Sequence, residues 1–244
     1  MLVPKKSLGQ NFLLDKNLCR KITNHINIKN KNIIEIGSGT GQLTNEIIKL
    51  NPKKLILIEK DNSLYEKLKL NYLDNKSIEI KNIDVLKDSL SFKSNFNIIA
   101  NLPYNISTKL IIKLLIKYKN FKEMVFLVQK EVSDKFRYKL LKKKNKYSLF
   151  LEIVSNYQVL HNISNKVFYP KPKVQSTLIK ITPKNIELDK EKLWIFSNKI
   201  FMNKRKKINN NFNKMNNRIV DKKILEKRPE DLNKSEYLEL FNLF

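Results

Sequence analysis

The chain has few residues of the kinds that build disulfides and metal sites, with one cysteine and two histidines among 244 residues. The single cysteine, Cys19, excludes an internal disulfide and fits a reducing compartment. The histidines, His25 and His161, lie far apart in the sequence with no cysteine or carboxylate cluster beside them. We therefore interpret both as structural or exposed residues, and we predict no metal site.

Long apolar segments are also absent. No run approaches the ~18 consecutive apolar residues that indicate a membrane-spanning helix, and the start of the chain has no apolar signal core. The hydrophobic content of 41% is enough for one full core and a small appendage. We expect a soluble, cytoplasmic protein with no membrane contact.

Acidic residues are scarce relative to basic ones, with 23 Asp and Glu against 49 Lys and Arg and a formal net charge of +26. A field of this sign favours polyanions, and nucleic acid is the first candidate partner. Lys, Asn and Ile are also over-used along the whole chain, which is typical of coding from an A/T-rich genome. Compositional bias therefore accounts for part of the charge, and both explanations stay open.

Glycine is rare, with four in the whole chain, yet three of them are Gly37, Gly39 and Gly41. They follow the apolar run Asn32–Ile36, which predicts a strand, and precede a stretch of helical periodicity from Gln42. Glycine lets the backbone approach a ligand closely and adopt a positive φ. The spacing Gly-x-Gly-x-Gly is neither the dinucleotide fingerprint nor a P-loop, which favours a nucleoside without phosphates, such as S-adenosylmethionine.

Carboxylates follow the next two predicted strands. Glu59 comes directly after Leu55–Ile58, where an acid can accept hydrogen bonds from both hydroxyls of a ribose. Asp84 follows Ser77–Ile80 and is placed to accept a hydrogen bond from an adenine amino group. Both are candidate cofactor ligands, and the alternative for Asp84 is a loop carboxylate or a helix cap.

The turn Asn101–Ser107 connects an apolar run that predicts a buried strand to a stretch that predicts a helix. It lies at the carboxyl end of the strand, where open α/β sheets bind ligands. The Asn101 side chain and the Leu102 main chain offer carbonyl acceptors. Pro103 fixes φ, and Tyr104 offers a flat ring. Together they can hold an exocyclic amine by both hydrogens and stack on its ring, as methylation of adenine N6 requires. The alternative is an ordinary strand-to-helix turn.

Two further segments are candidates for ligand contacts. Asn11 lies close to apolar Leu13, and this stretch can fold over a cofactor with Leu13 packing on it; a flexible arm is the alternative. Phe168 lies in a loop that two prolines stiffen, and it can stack on a flipped base opposite Tyr104. A position in the core is the alternative for Phe168.

The part of the chain before residue 183 contains two further predicted strands and a basic segment. The β-branched and aromatic stretches Tyr147–Tyr157 and Val174–Ile181 predict two late strands. The basic segment Lys135–Lys146 either contacts phosphate or forms a solvated helix face.

The last quarter of the chain differs in pattern from the rest. From about Pro183 the apolar periodicity becomes helical, and the basic cluster Asn203–Lys207 lies within this region. We predict an α/β domain over residues 1–182 and a small all-α domain over residues 183–244.

Several motifs extend this pattern over most of the chain. They are Gly9–Leu13, Glu35–Gly41, Asn101–Ser107, Gln129–Val132, Phe168–Val174 and Arg228–Leu232, together with Glu59 and Asp84. These motifs resemble those of the ribosomal RNA adenine N6-dimethyltransferase family of the KsgA type. The string Asn-Leu-Pro-Tyr-Asn-Ile-Ser is the highly specific one.

The resemblance implies a Rossmann-like, seven-stranded methyltransferase sheet that binds S-adenosylmethionine, and a small all-α C-terminal domain that contacts RNA. It implies an enzyme that dimethylates two adjacent adenines near the 3′ end of small ribosomal subunit RNA. We also expect the protein to be monomeric and to take part in small-subunit assembly. By motif position, the residues that hold the target base are Asn101, Leu102, Pro103, Tyr104 and Phe168. Those that hold the cofactor are Asn11, Leu13, Gly37, Gly39, Glu59, Asp84 and Asn101.

Three rival functions are compatible with parts of the sequence. The nearest is the erythromycin-resistance branch, which methylates large-subunit RNA; Leu102 and the strings Gln129–Val132 and Arg228–Leu232 favour the KsgA branch instead. A non-catalytic RNA-binding assembly or transcription factor has no use for the predicted cofactor pocket. A DNA adenine methyltransferase is disfavoured because Leu102 stands where those enzymes usually carry proline.

Overall fold

The computed structural model describes residues 4–5, 8–88, 90, 94–138, 143–212 and 221–244. The strands are β1 (Phe12–Leu13), β2 (Asn32–Ile36), β3 (Lys54–Glu59), β4 (Ile78–Asn82), β5 (Phe96–Asn101), β6 (Phe121–Gln129), β7 (Ser155–Ile163), β8 (Phe168–Tyr169) and β9 (Ser176–Pro183). The helices are α1 (Lys16–Thr23), α2 (Gln42–Ile48), α3 (Asn62–Asn71), α4 (Ser107–Lys117), α5 (Lys130–Phe136), α6 (Lys146–Val154), α7 (Lys190–Ile200), α8 (Ile208–Phe212), α9 (Lys222–Leu225) and α10 (Lys234–Asn242).

Seven of the strands form one sheet in the order β4-β3-β2-β5-β6-β9-β7. The first five of these are parallel, and β9 runs antiparallel to both β6 and β7. The strand order reverses between β2 and β5, so the segments that leave these two strands diverge and open a crevice between them. The predicted Rossmann-like, seven-stranded sheet is confirmed.

The central strands are buried because helices cover both faces of the sheet. The runs Ile33–Ile36, Leu55–Ile58 and Ile98–Ala100 consist almost wholly of apolar residues, and all of these positions are buried. Continuous apolar runs, rather than alternating ones, are typical of parallel strands covered on both faces. The side chains divide into two buried apolar clusters, which contain alternate residues of each central strand.

The strand predicted over Tyr147–Tyr157 is wrong in its first part, because residues up to Val154 belong to α6. Asn145 caps this helix: its Oδ1 accepts hydrogen bonds from the N–H groups of Tyr147 at 2.9 Å and Ser148 at 3.0 Å. The Ser148 Oγ accepts in return from the Asn145 N–H at 2.9 Å. The strand β7 begins only at Ser155.

The region after Pro183 contains α7 to α10 and no strand in its described residues. Buried residues of α7 and α10, such as Phe196 and Tyr237, belong to the same apolar cluster as Phe126 and Ile179 of the sheet. The helical character of this region is confirmed, while the boundary between residues 182 and 183 stays a prediction. None of the described helices has both the length and the apolar character needed to span a membrane.

Two basic segments lie partly in contact with acids. Lys143 pairs with Glu230 at 2.6 Å, and residues 139–142 of the predicted basic segment lie outside the described part of the chain. In the cluster Asn203–Lys207, Lys207 bonds to Glu226.

Candidate active site

A pocket opens at the carboxyl ends of β2, β3, β4 and β5, where the topology of the sheet predicts it. The N-terminal segment, the glycine loop, the ends of β3 and β4 and the turn after β5 all contribute to its lining. Its empty volume is about 1100 Å³ when the solvent at its mouth is included. Concave sites with a few convergent polar groups at this edge of an open α/β sheet are typical ligand-binding sites.

The glycine loop has a left-handed backbone that suits glycine. Gly39 has φ +56° and Gly41 has φ +80°. A Cβ on Gly41 would lie 2.6 Å from the Tyr72 hydroxyl oxygen, and one on Gly39 would lie 3.3 Å from the Phe12 ring. The loop can therefore pack this closely against its neighbours only without side chains, and Gly37 and Gly39 both line the pocket.

Glu59 fixes the glycine loop from the end of β3. Its Oε2 accepts a hydrogen bond from the Gly39 N–H at 2.9 Å, and its Oε1 accepts one from the Asp61 N–H at 2.9 Å. Burial raises the pKa of the Glu59 carboxyl, and these two backbone donors counteract that effect. Each carboxylate oxygen has a second lone pair, so Glu59 can still accept hydrogen bonds from two ligand hydroxyls.

Asp84 contributes a second acceptor from the loop after β4. Its Oδ2 pairs with the Lys60 ammonium group at 2.9 Å, and its Oδ1 accepts from the Leu86 N–H at 3.0 Å. The hydrogen bond from Lys60 is the main cause that lowers the pKa of this carboxyl. Asp84 therefore faces the pocket as a charged acceptor and also orders its own loop.

The side chain of Asn101 is held in one orientation by the N-terminal segment. Its Nδ2 donates to the Asn11 carbonyl oxygen at 2.8 Å. An amide oxygen accepts and an amide nitrogen donates, so Oδ1 is the atom of this side chain that can accept from a ligand amine. Asn101 and Asn11 both line the pocket.

The rest of the turn is rigid. The Leu102 side chain is buried in the core, and its N–H donates to the Leu127 carbonyl oxygen at 3.1 Å. The Pro103 carbonyl oxygen accepts from the Ser107 hydroxyl at 2.9 Å and the Ile106 N–H at 3.2 Å. These bonds hold Asn101, Leu102 and Pro103 at the edge of the pocket.

The described part of the N-terminal segment packs over the pocket and does not form a free arm. β1 pairs with β8, and the Gln10 side-chain amide donates to Asp61 Oδ2 at 3.1 Å. Leu13 is buried and lines the pocket beside Asn11. The segment is thus in place to cover a bound ligand.

The two predicted base-stacking rings lie outside the pocket lining. Tyr104 is half-buried, and its hydroxyl bonds to Ser176 Oγ at 2.7 Å. Phe168 is 3% exposed and lies opposite Leu13 in the β1–β8 ladder. Phe168 therefore occupies a core position in this structure, and its contact with a base stays a prediction.

Glu35 and Asn105 are among the pocket residues that the sequence did not single out as site residues. Glu35 is buried near the carboxyl end of β2, and Thr44 Oγ1 donates to its Oε2 at 2.6 Å. Burial raises the pKa of Glu35 to about 8. Asn105 also lines the pocket, on the turn after Asn101. A charged residue inside an apolar strand was the available signal for Glu35.

The two histidines, far apart in sequence, meet in the structure with their Nε2 atoms 3.0 Å apart. They lie outside the pocket lining. Within the described residues, no group of three or more His, Cys, Asp or Glu side chains is arranged to hold a metal ion.

A family model described as ribosomal RNA adenine dimethylase matches residues 2–244. The chain belongs to this family. It is 39% identical to the ribosomal RNA small subunit methyltransferase A of Malacoplasma penetrans, over 96% of this chain and 90% of that protein. The resemblance inferred from the motifs is confirmed.

Solved structures show the same fold. A dimethyladenosine transferase from Plasmodium falciparum superimposes with a TM-score of 0.81 at 24% identity, covering 94% of this chain and 95% of that one. The 23S rRNA methyltransferase ErmE superimposes with a TM-score of 0.74 at 18% identity, covering 95% of this chain and 98% of that one. At these identities the likeness concerns architecture, and the choice of RNA rests on other observations.

Proposed function

We propose that the protein methylates the N6 of adenines in small ribosomal subunit RNA, with S-adenosylmethionine as methyl donor. The targets are two adjacent adenines near the 3′ end, and each accepts two methyl groups. The orientation of Asn101 carries this proposal. Its Nδ2 is bonded to the Asn11 carbonyl oxygen, and no hydrogen bond to its Oδ1 is found among the described residues, so this oxygen can accept from a ligand at the pocket edge.

The residues of the pocket fit S-adenosylmethionine. The side-chain-free Gly37 and Gly39 permit close approach of the ligand to the backbone. Glu59 suits the ribose hydroxyls, and the charged Asp84 suits an adenine amino group. Asn11 and Leu13 lie in the segment that covers the pocket, so they can bury the ligand once it is bound.

Bound S-adenosylmethionine supplies an electrophilic methyl group on a sulfonium. The task of the chain's own residues is to orient the adenine amine, whose lone pair is delocalised into the purine. Acceptors at both N–H groups, Asn101 Oδ1 and the Leu102 carbonyl, favour the geometry in which that lone pair points at the methyl group. Alignment of this kind supplies roughly 7–11 kcal/mol in well-oriented systems, so a strong base is not required. A doubly methylated N6 has no N–H left to donate, which gives the reaction a chemical stopping point.

The small subunit is the preferred target for two reasons. The Malacoplasma relative is named for that subunit and matches nearly the whole chain, and the chain carries the strings that resemble the KsgA branch. We further propose that the protein acts as a monomer in the cytoplasm, where ribosomal subunits are assembled, and that it takes part in that assembly.

The direct test is transfer of labelled methyl groups by the purified protein to small ribosomal subunits that lack the modification. We expect label in small-subunit RNA, and mapping should place dimethyladenosine at two adjacent positions near the 3′ end. Isolated large-subunit RNA is the comparison substrate. Label found only in large-subunit RNA would support the erythromycin-resistance alternative and contradict our assignment.

The role of Asn101 is tested by Asn101→Ala. We expect methyl transfer to fall by about a hundredfold, because an oriented acceptor is lost at the reacting amine. The matched control is Asn198→Ala on α7, which also removes a hydrogen-bonded amide side chain. The control should keep wild-type turnover, and thermal melting should show both variants folded. Undiminished turnover in Asn101→Ala would exclude the proposed role.

A further inference from the structure

The hydroxyl of Tyr104 forms a hydrogen bond with Ser176, a residue to which none of the motifs gives a catalytic role. Tyr104 OH and Ser176 Oγ lie 2.7 Å apart. Tyr104 belongs to the turn after β5, whereas Ser176 is the first residue of β9. The bond therefore connects the predicted base-binding turn to the strand that follows the proline-rich loop.

Ser176 is a fixed anchor. It is fully buried, and its backbone lies in the ladder between Gln129 of β6 and Ile163 of β7. A hydroxyl attached to a strand that is paired on both sides moves less than one on a loop. The Tyr104 ring is thus held at both ends of its long axis, by its own Cα at one end and by Ser176 at the other.

Two anchors constrain the ring in a specific way. Rotation about the bond from Cβ to the ring leaves the hydroxyl oxygen in place, so the hydrogen bond does not prevent ring flips. It does prevent the ring axis from tilting about χ1. The neighbouring turn is already rigid, since the Pro103 carbonyl oxygen accepts from the Ser107 hydroxyl. Tilting of the Tyr104 ring about χ1 is a further freedom, and the hydrogen bond to Ser176 restricts it.

We propose that Ser176 is a positioning residue for methyl transfer. It fixes the tilt of the Tyr104 ring so that a base stacked on this ring presents its amine to Asn101 Oδ1. Ser176 itself touches neither substrate nor cofactor. This inference rests on the proposed function and on the stacking of Tyr104 on the target adenine, which the family resemblance implies.

The two hydroxyls satisfy each other, which makes a double-mutant cycle informative. Burial raises the pKa of Tyr104 and the bond to Ser176 counteracts this effect, in agreement with a shielded hydroxyl pair. Removing one hydroxyl leaves the other without its hydrogen-bond partner, whereas removing both leaves no unpaired hydroxyl. If the pair acts as one unit, the double variant is no slower than the slower single variant.

The experiment compares Ser176→Ala, Tyr104→Phe and the double variant with the wild type in single-turnover methyl transfer to small subunits. We expect each single variant to lower the rate at saturating RNA and cofactor by about tenfold, as loss of one ordering hydrogen bond implies. The KM for RNA should stay near the wild-type value, because phosphate contacts supply most of the affinity. Cofactor affinity, measured directly by titration, should also stay unchanged.

A matched control separates positioning from stability. Ser133 Oγ and Tyr157 OH form a similar buried pair, 2.8 Å apart, between α5 and β7. The Tyr157 hydroxyl also donates to the Ser133 carbonyl oxygen at 3.0 Å, so Ser133→Ala should lower the melting temperature by no more than Ser176→Ala does. It should keep the wild-type transfer rate.

Several results would overturn the inference. A wild-type rate in Ser176→Ala would do so, as would multiplied losses in the double variant or an equal rate loss in Ser133→Ala. A loss confined to cofactor affinity would do so too. Each of these leaves the proposed function intact as long as the wild type modifies small-subunit RNA. Absence of wild-type transfer would overturn both.

Discussion

Glu35 is the residue whose environment conflicts most with its charge. It lies fully buried in β2, and burial raises the pKa of its carboxyl to about 8, while the Thr44 hydroxyl acts in the opposite direction. In the unfolded chain the carboxyl has the ordinary pKa of 4.5. The folded state therefore binds more protons than the unfolded state between these two values. The contribution of the Glu35 carboxyl to the free energy of unfolding is fully present below pH 4.5 and is lost as the pH rises towards 8.

Substitution of Glu35 by Gln should reverse this loss. Near pH 8 we expect the free energy of unfolding of Glu35→Gln, measured with urea, to exceed that of the wild type by on the order of 3 kcal/mol. This difference should vanish towards acid pH. The control is Glu46→Gln. Lys49 and Arg20 lower the pKa of Glu46, so the charged form of this carboxyl stabilises the folded state, in contrast to Glu35. That variant should lose stability at neutral pH. Parallel pH profiles for wild type and Glu35→Gln would contradict the assigned protonation.

At the residue scale, the position of several polar pocket residues was predictable, whereas the burial of Phe168 was not. Gly37, Glu59 and Asp84 follow strands whose apolar runs are plain in the sequence, so their place at one sheet edge follows from topology. Whether Phe168 is exposed depends on the pairing of β1 with β8, a contact between segments about 150 residues apart. No local pattern encodes that pairing.

Among the elements, α6 shows where composition misleads. Tyr147–Val154 is rich in β-branched and aromatic residues, which predicts a strand, yet it forms a helix that is buried along most of its length. A helix buried on most sides has no polar face to reveal its period. The readable signal was the start: Asn145 followed three residues later by Ser148 forms a reciprocal cap.

The cap of α6 gives a prediction at the element scale. Asn145→Ala should lower the free energy of unfolding by about 1 kcal/mol, because the N–H groups of Tyr147 and Ser148 lose their acceptor. Asn145→Asp keeps that acceptor and should recover most of the loss. It will not recover all of it, since the Asn145 Nδ2 also donates to the Lys135 carbonyl oxygen. Equal urea unfolding of the Ala variant and the wild type would show that the cap contributes nothing.

For the whole molecule, the excess of basic residues is the dominant property. The structure distinguishes basic side chains that are paired with acids from exposed ones that can bind phosphate. Many acids are already occupied: Glu79 pairs with Lys54 at 2.6 Å and Glu230 pairs with Lys143. Lys204, Arg205 and Lys206 are exposed, and among the described residues no acid lies within 4.0 Å of them. Lys143 has the largest effect in lowering the pKa of Glu230, and Lys204 is still close enough to that carboxyl to contribute. Excess charge of this kind is available to phosphate, whereas the charge of paired lysines is largely neutralised locally.

The affinity for ribosomal RNA should therefore fall steeply with salt, because each lysine or arginine on a phosphate releases counterions. We expect Lys204→Ala and Arg205→Ala each to reduce the slope of log affinity against log salt by about 0.7–0.9, the value of one phosphate contact. Lys54→Ala is the matched control, since this lysine is paired with Glu79 and its loss should leave the slope unchanged. Equal slopes for all three variants would place the RNA elsewhere on the surface. A flat response in the wild type would mean that the net charge of +26 reflects coding bias and does not drive recognition.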